Sequence, residues 1–220
     1  MDLLTGGKVS AFLFDLDGTL IDTEKYYRRC WPIACAHFGY TLTDEMALQL
    51  RSLGRPFAPE LMKKWFGESC DYFEIREYRK GLVAEVMEKE GIVAKPGAEE
   101  LLRFLRDKGI KVSTTTATNA ERTTRFLGMV GLLKYFDEIC CAEHVKEGKP
   151  APDLYAFACA KLGFPPSECI AVEDAPNGIK SAVSAGCRCI FVPDQTENEP
   201  EVEPLCMAKV KSLADIIKLM

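Results

Sequence analysis

Two acidic residues separated by one position follow an apolar segment near the start of the chain. Asp15 and Asp17 come directly after residues 9–14, which we expect to form a buried strand. In an extended chain, residues i and i+2 face the same side, so both carboxylates can point into one crevice beyond the strand. Neighbouring carboxylates repel unless a cation or a proton lies between them. The pair therefore indicates a metal site, acid–base chemistry or both, although Asp and Gly after a strand also form simple turns.

Polar residues also follow three apolar segments later in the chain. In an open parallel sheet, ligands bind beyond the carboxyl ends of the strands, so we expect these segments to meet near Asp15. Each alone has a simpler explanation: a strand-forming threonine run, a solvated lysine, or an acidic helix start. Together they supply the carboxylates, hydroxyls and ammonium needed to bind a metal ion and a phosphoryl group. The segments are 114–119, 148–153 with Lys149, and 172–178 with Glu173 and Asp174.

The elements that would position these residues alternate from residue 96 onward between helices and short apolar strands. Each intervening helix ends at a glycine that follows an apolar stripe of helical spacing. Such alternation predicts right-handed βαβ units and a parallel sheet, and hence an α/β, Rossmann-like, doubly wound core. The later strands are predicted near residues 110–115, 137–141, 169–173, 188–192 and 208–210.

The segment between the first strand and residue 92 has a different pattern. It contains almost no β-branched runs and is rich in aromatic and charged residues, which predicts helices. In its last helix, Ile75, Tyr78, Leu82 and Val86 recur at helical spacing and are expected to face the interior. We interpret residues 20–92 as an all-helical insertion into the α/β core, with crossings near residues 18–22 and 91–97.

Composition restricts the kinds of partner and of metal site. The 220 residues carry a net charge of -5 without a basic cluster, which argues against nucleic acid or a membrane surface as the main partner. With only His37 and His144 present, a metal site should use oxygen ligands. The ten cysteines lack CxxC spacing, and residues 1–8 contain no apolar signal segment, so we expect a cytoplasmic protein with free thiols and a small-molecule partner.

Taken together, the four polar segments resemble motifs I to IV of the haloacid dehalogenase-like hydrolase superfamily, and the resemblance covers the whole chain. The helical insertion resembles the C1-type cap of that superfamily. The segments Asp15-Leu-Asp-Gly-Thr-Leu-Ile-Asp-Thr-Glu24, Gly-Lys-Pro-Ala-Pro-Asp and Val-Glu-Asp-Ala-Pro-Asn-Gly resemble the branch of β-phosphoglucomutase and sugar-phosphate phosphatases. The resemblance implies a core domain of residues 1–19 and 93–220 and a cap domain of residues 20–92.

The resemblance also implies roles for the residues that carry it. Asp15 would be the nucleophile that forms an aspartyl-phosphate. Asp17 would protonate the leaving alcohol and then activate water. The Thr116 hydroxyl and the N–H of Ala117 would hold phosphoryl oxygens, which Lys149 would also neutralise.

A magnesium site is implied in the same place. Its ligands would be Asp15, Asp174 and the backbone carbonyl of Asp17, with Glu173 as a further direct or water-mediated ligand. Mg²⁺ prefers such hard oxygen ligands and retains several waters. Its charge, with that of Lys149, would offset the charge that otherwise makes a carboxylate a weak nucleophile toward a phosphate ester.

Within this superfamily the sequence favours phosphate ester hydrolysis. Dehalogenases lack the second acid of motif I and the magnesium acids, which are present here as Asp17, Glu173 and Asp174. Mutases resembling this chain have a His and an Arg where Tyr27 and Phe57 stand.

We therefore expect a Mg²⁺-dependent phosphatase of a small phosphomonoester, with sugar phosphates the favoured class, acting as a monomer or weak dimer. Arg55, close to Phe57, is either a substrate-binding cap residue or a surface residue. A β-phosphoglucomutase-type phosphotransferase is the alternative function, and a catalytically silent binding protein that retains the fold is a third.

Overall fold

The computed structural model describes residues 7–220, so the expectations for residues 1–6 lie outside the described residues. Six parallel strands form one sheet in the order β3-β2-β1-β4-β5-β6, which confirms the predicted α/β fold. All five later strands lie where the sequence predicts them, to within two residues at each end. The strands are β1 (Ala11–Phe14), β2 (Lys111–Thr116), β3 (Glu138–Cys141), β4 (Cys169–Glu173), β5 (Arg188–Phe191) and β6 (Ala208–Lys209).

Helices fill both the insertion and the connections between strands. Five of them separate β1 from β2: the first four form the insertion, and the fifth accompanies the sheet together with the remaining four. The first four are α1 (Glu24–His37), α2 (Asp44–Gln49), α3 (Phe57–Phe66) and α4 (Tyr72–Glu90). The others are α5 (Ala98–Asp107), α6 (Ala120–Met129), α7 (Asp153–Leu162), α8 (Pro176–Ser184) and α9 (Leu213–Ile217).

Alternating side chains of the sheet enter two apolar layers. Phe12 and Phe14 of β1 pack on one face with residues of α5, α6 and α9, whereas Ala11 and Leu13 pack on the other with residues of α7 and α8. Because a strand has a side-chain period of two, a strand covered by helices on both faces must be apolar throughout. This requirement explains the continuous apolar runs from which the strands were predicted.

The central strand β1 lies at the point where the strand order reverses. The chain proceeds from β1 to β2 and β3 on one side, and then returns to place β4, β5 and β6 on the other. Helices on opposite sides of β1 and β4 leave a crevice beyond their carboxyl ends, which is where open α/β sheets bind ligands. Asp15 follows β1 and Asp174 follows β4, so both acids enter that crevice.

Helices α1 to α4 have an apolar cluster of their own, which includes Trp31, Met62 and Ile75. The two chain crossings at its base are hydrogen-bonded to each other: Asp22 N donates to Val93 O and Lys95 N donates to Leu20 O. The expected inner stripe of α4 is wrong in part. Tyr78 is exposed, and the buried positions are Tyr72, Ile75, Val83 and Met87.

The thiols are reduced and mostly internal. All ten cysteines lie within residues 7–220, form no disulfide, and nine of them are buried. Within the same range, none of the helices combines the length and the apolarity that a membrane crossing requires.

The start of α5 requires a glycine. Gly97 has φ +81°, and a Cβ there would lie 2.4 Å from the backbone nitrogen of Ala214 at α9. Gly39 has the same φ with nothing within 4 Å. Gly39→Ala should cost about 1–2 kcal/mol for the left-handed backbone alone, and Gly97→Ala should cost clearly more. Urea unfolding followed by circular dichroism measures both, and equal losses would contradict the contact with α9.

Candidate active site

Three carboxylates meet in the crevice beyond β1 and β4. Asp15, Glu173 and Asp174 are buried, and one carboxylate oxygen from each lies within 4.8 Å of the others. Parallel pairing brings them together, because Phe14 stands opposite Val172 in register and the next residues leave the sheet side by side. Three of the four predicted metal-ligating residues thus form one cluster.

Lys149 connects two of these acids. Its Nζ donates to Asp15 Oδ1 at 2.6 Å and to Glu173 Oε1 at 2.5 Å, and its side chain is fully buried. Tyr155 on α7 donates its hydroxyl to the same Glu173 oxygen at 2.5 Å. Burial alone would lower the pKa of Lys149, but Asp15 and Glu173 outweigh this effect and raise it, so the ammonium stays charged.

The charge of the cluster favours a bound divalent cation. Three acids face one ammonium, and burial raises the pKa of Asp15 to about 7 against the opposing effect of Lys149. Burial and Asp15 raise the pKa of Asp174 well above its ordinary value. Asp174 Oδ2 and Glu173 Oε2 are buried without a hydrogen-bond partner among the described residues. Unpartnered hard oxygens in an acidic cluster are the ligand set of a magnesium ion, so the residues fit the predicted metal.

The carboxylate of Asp17 lies outside this triad. Thr23 Oγ1 donates to its Oδ1 at 2.5 Å, and Thr118 Oγ1 donates to its Oδ2 at 2.7 Å. Two hydroxyls from different segments therefore orient the side chain toward the cleft, which it lines together with Asp15. This arrangement leaves only the backbone carbonyl of Asp17 for the predicted metal site.

The end of β2 supplies the predicted phosphate-binding groups. Thr116 and Ala117 line the same cleft as Asp15 and Asp17. Thr116 Oγ1 accepts a hydrogen bond from Thr118 N at 3.0 Å, which holds the turn between β2 and α6. Asp15, Asp17, Thr116 and Ala117 thus line one cleft, and the buried Lys149, Glu173 and Asp174 lie directly behind Asp15.

Helices α1 and α4 and the loop before α3 close the opposite side of this crevice. The resulting cleft has a volume of about 310 Å³ and is lined there by Tyr27, Trp31, Arg55, Arg76 and Arg79. Arg55 therefore belongs to the cleft wall. Phe57 is not among the described residues that line the cleft.

A pair of backbone hydrogen bonds joins the loop before α3 to the loop that carries Lys149. Gly54 N donates to Lys149 O, and Gly148 N donates to Arg55 O, both at 2.7 Å. A Cβ on Gly54 would lie 2.6 Å from the Cα of Gly148, so these two backbone segments can approach each other this closely only with glycine at both positions. The lysine loop and the helical insertion are thus fixed to each other.

Several site residues were not predicted from the sequence. Thr118 had a usable signal, because it stands two positions after Thr116 in the same polar run. Tyr155 and Glu24 had none, since a tyrosine inside an apolar helix and an acid at a helix start are ordinary. Arg79 follows the buried Ile75 by four residues, which places it on the inner stripe of α4 and is a signal that the sequence analysis missed.

Comparison with known proteins gives consistent results. A family model described as haloacid dehalogenase-like hydrolase matches residues 9–186. Hexitol phosphatase A of Escherichia coli is 34% identical over 198 residues, which are 89% of each chain. Phosphorylated carbohydrates phosphatase of Thermotoga maritima is 26% identical and covers 96% of this chain and 99% of its own. The crystal structure of CbbY from Rhodobacter sphaeroides in complex with phosphate superposes with a TM-score of 0.78, at 27% identity over 94% of this chain and 96% of that one.

Removal of Lys149 should destabilise the protein, because its ammonium compensates the charge of two buried carboxylates. Lys149→Met leaves Asp15 and Glu173 buried without their cation, for which we expect a loss of about 3–5 kcal/mol in the free energy of unfolding. Lys146→Met, at an exposed position in the same loop, should change it by less than about 0.5 kcal/mol. Urea unfolding in the presence of a chelator measures both variants. Similar losses in the two would show that Lys149 does not hold the acids together.

Proposed function

Because the chain belongs to the haloacid dehalogenase-like hydrolase family, we propose that it is a Mg²⁺-dependent phosphatase of a small phosphomonoester, with sugar phosphates the favoured class. The observation that carries the proposal is the buried contact of Lys149 with Asp15 and Glu173 beside the unpartnered oxygen of Asp174. The names of the relatives, a hexitol phosphatase and a phosphorylated carbohydrates phosphatase, support phosphoric monoester hydrolysis. They also favour a carbohydrate as the alcohol.

The groups around the cleft are suited to hold the phosphoryl group before it reacts. Lys149 would pair with its oxygens, while the Thr116 hydroxyl and the Ala117 N–H would donate hydrogen bonds to them. Asp15, Glu173, Asp174 and the backbone carbonyl of Asp17 would hold Mg²⁺. When bound, this ion would add positive charge that offsets the phosphoryl oxygens.

In the first step we assign attack to Asp15 and proton donation to Asp17. A carboxylate oxygen of Asp15 forms a bond to phosphorus while the bond from phosphorus to the ester oxygen breaks. The departing oxygen takes its proton from Asp17. The Thr23 and Thr118 hydroxyls fix the direction from which Asp17 approaches that oxygen.

The second step returns the enzyme to its starting state. Asp17, now ionised, removes a proton from a water molecule whose oxygen bonds to phosphorus. The bond between phosphorus and Asp15 breaks, inorganic phosphate is released and the Asp15 carboxylate is restored. The same carboxyl thus serves as acid and then as base, which requires that water reach the aspartyl-phosphate.

The helical insertion is suited to act as a lid. We propose the division into a core of residues 1–19 and 93–220 and a cap of residues 20–92, which would open for substrate exchange. The paired backbone hydrogen bonds at Gly54 and Gly148, and the ion pair of Arg51 Nη2 with Glu199 Oε1 at 2.7 Å, are among the contacts that opening would break. Closure would exclude bulk water and bring cap side chains against the alcohol of the substrate.

Hydrolysis is favoured over phosphoryl transfer to a second hydroxyl. At the position where related mutases carry a histidine, Tyr27 lines the cleft and accepts a hydrogen bond from Arg122 Nη2 at 3.2 Å. Burial and the nearby Asp17 raise the pKa of the Tyr27 phenol, so it stays protonated and cannot replace a neutral imidazole as a base. Phe57 likewise cannot supply the charge of the missing arginine.

The nucleophile and the metal are tested together with p-nitrophenyl phosphate. Asp15→Asn should lower the rate of phosphate release by about 10³-fold or more, because an amide cannot form the aspartyl-phosphate. EDTA should abolish the wild-type activity and added Mg²⁺ should restore it. Asp107→Asn, which changes an exposed acid, should keep the wild-type rate. Equal rates in wild type and Asp15→Asn would support the catalytically silent protein instead.

Glucose 1-phosphate distinguishes the two enzymatic functions. A phosphatase should convert glucose 1-phosphate to glucose and inorganic phosphate. Because Tyr27 cannot act as the base that activates a second sugar hydroxyl, we expect no glucose 6-phosphate. Enzyme, Mg²⁺ and a trace of glucose 1,6-bisphosphate are incubated with the substrate, and glucose 6-phosphate is assayed with its dehydrogenase. Formation of glucose 6-phosphate faster than inorganic phosphate would establish the mutase function.

A further inference from the structure

The cleft concentrates arginines that form no ion pair with the described residues. Arg55, Arg76, Arg79 and Arg122 all line it, and none of them forms an ion pair within residues 7–220. Other arginines of this chain form ion pairs: Arg28, Arg29 and Arg51 each contact an Asp or Glu. Asp15, Asp17, Glu24 and Glu143 also line the cleft, but among the described residues none of them forms an ion pair with these four guanidinium groups, which therefore remain available to an anionic ligand.

Arg79 occupies a position that a core side chain would take. It lies four residues from the buried Ile75 and four from the buried Val83, on the inner stripe of α4. Its guanidinium carbon is 3.9 Å from the ring centroid of Trp31 and 5.1 Å from that of Tyr27. The two rings hold the guanidinium plane in one orientation and attract its charge.

This guanidinium is only partly satisfied by the protein. Arg79 Nε is shielded from solvent and has no hydrogen-bond partner among the described residues. Arg76 adds a like charge on the same helix. Glu24 also lines the cleft and attracts this group, but it forms no ion pair with the guanidinium among the described residues, and burial and Asp17 raise the pKa of its carboxyl to about 8. The protein therefore leaves this guanidinium without an ion pair and with a buried donor unsatisfied, and its planar donors are fixed in the cleft wall.

The transferred phosphoryl group does not account for these arginines. Lys149, Thr116 and Ala117 are the groups that the proposed mechanism assigns to it, and all belong to the α/β core. The arginine that related mutases carry in the cap loop is replaced by Phe57, so the present set is differently placed: Arg76 and Arg79 lie on α4 and Arg122 lies on α6. A second anionic group on the substrate would fill this role.

We propose that the substrate carries, besides the phosphate that is hydrolysed, a second anionic group, either a carboxylate or a second phosphate, bound by Arg79 with Arg76 and Arg122. This inference rests on the proposed phosphatase function and narrows its substrate class. The planar guanidinium matches both anions through two parallel hydrogen bonds. The aromatic residues beside it would pack against the carbon chain between the two charges.

Three matched pairs of substrates test the proposal, and their sources of negative charge differ. They are glycerol 3-phosphate with 3-phosphoglycerate, ribulose 5-phosphate with ribulose 1,5-bisphosphate, and fructose 6-phosphate with fructose 1,6-bisphosphate. In at least one pair, kcat/KM should be tenfold or more higher for the member with the additional anion, mainly through a lower KM. The first pair reports a carboxylate, and the other two report a phosphate. Preference below threefold in all three pairs would overturn the inference.

Variants assign the preference to the arginines. Arg79→Met should reduce kcat/KM at least tenfold more for the doubly anionic member than for its partner, and Arg122→Gln gives the same comparison should the first variant not fold. Arg125→Met, an exposed arginine of the same helix as Arg122, should leave the ratio unchanged. Equal losses for both members would show a structural role and overturn the assignment. Absence of phosphate release in the wild type from these six substrates and also from p-nitrophenyl phosphate would instead refute the proposed function itself, whereas release from p-nitrophenyl phosphate alone would overturn only the inference.

Discussion

The contact between one buried ammonium and two buried carboxylates determines how the rest of the site is built. Lys149 lies 134 residues after Asp15 and 24 residues before Glu173 in the sequence, yet its Nζ is within 2.6 Å of both. Removing a charge from water costs several kcal/mol unless partners replace the lost hydration. Each of these residues is therefore acceptable in the interior only if the fold delivers the other two. The parallel order of β1 and β4 and the position of the lysine loop satisfy that condition.

The same loop transmits the position of the cap to this charge cluster. The backbone carbonyl of Lys149 accepts a hydrogen bond from Gly54 in the cap, while its side chain holds Asp15 and Glu173. Movement of the cap would break this backbone contact and release a constraint on the residue that pairs with Asp15, the proposed nucleophile. In the proposed mechanism, closure of the cap and the electrostatic state of Asp15 are thereby linked through Lys149.

The sequence was informative where backbone topology alone decides position, and uninformative where helix rotation decides it. Asp15, Thr116, Lys149 and Asp174 could be predicted to meet because the ends of parallel strands share one edge. The sequence predicted that the cap is helical, but it could not predict which face of each helix turns toward the cleft. The predicted inner stripe of α4 included Tyr78, which is exposed, and left out the next residue, Arg79, which lies on the inner side of the helix. Charged residues on an amphipathic helix are usually solvated, so the spacing of Arg79 from Ile75 was a weak signal, and its packing against Trp31 and Tyr27 shows that it is internal.

Two clusters of opposite charge meet at the cleft, the acids beside Lys149 and the arginines of α4 and α6, and we assign chemistry to the first and selection of the substrate to the second. Acids from the core face a site that requires cations, whereas arginines from the cap and from α6 face one that requires anions. A ligand that contacts both clusters would compensate the charge of each. A ligand that contacts only the acidic cluster and its metal ion would leave the arginines unpaired when the cleft is closed. The closed state is therefore stabilised most by a molecule with charge at both ends. Selection by the cap follows from this electrostatic requirement before any detailed fit of shape is considered.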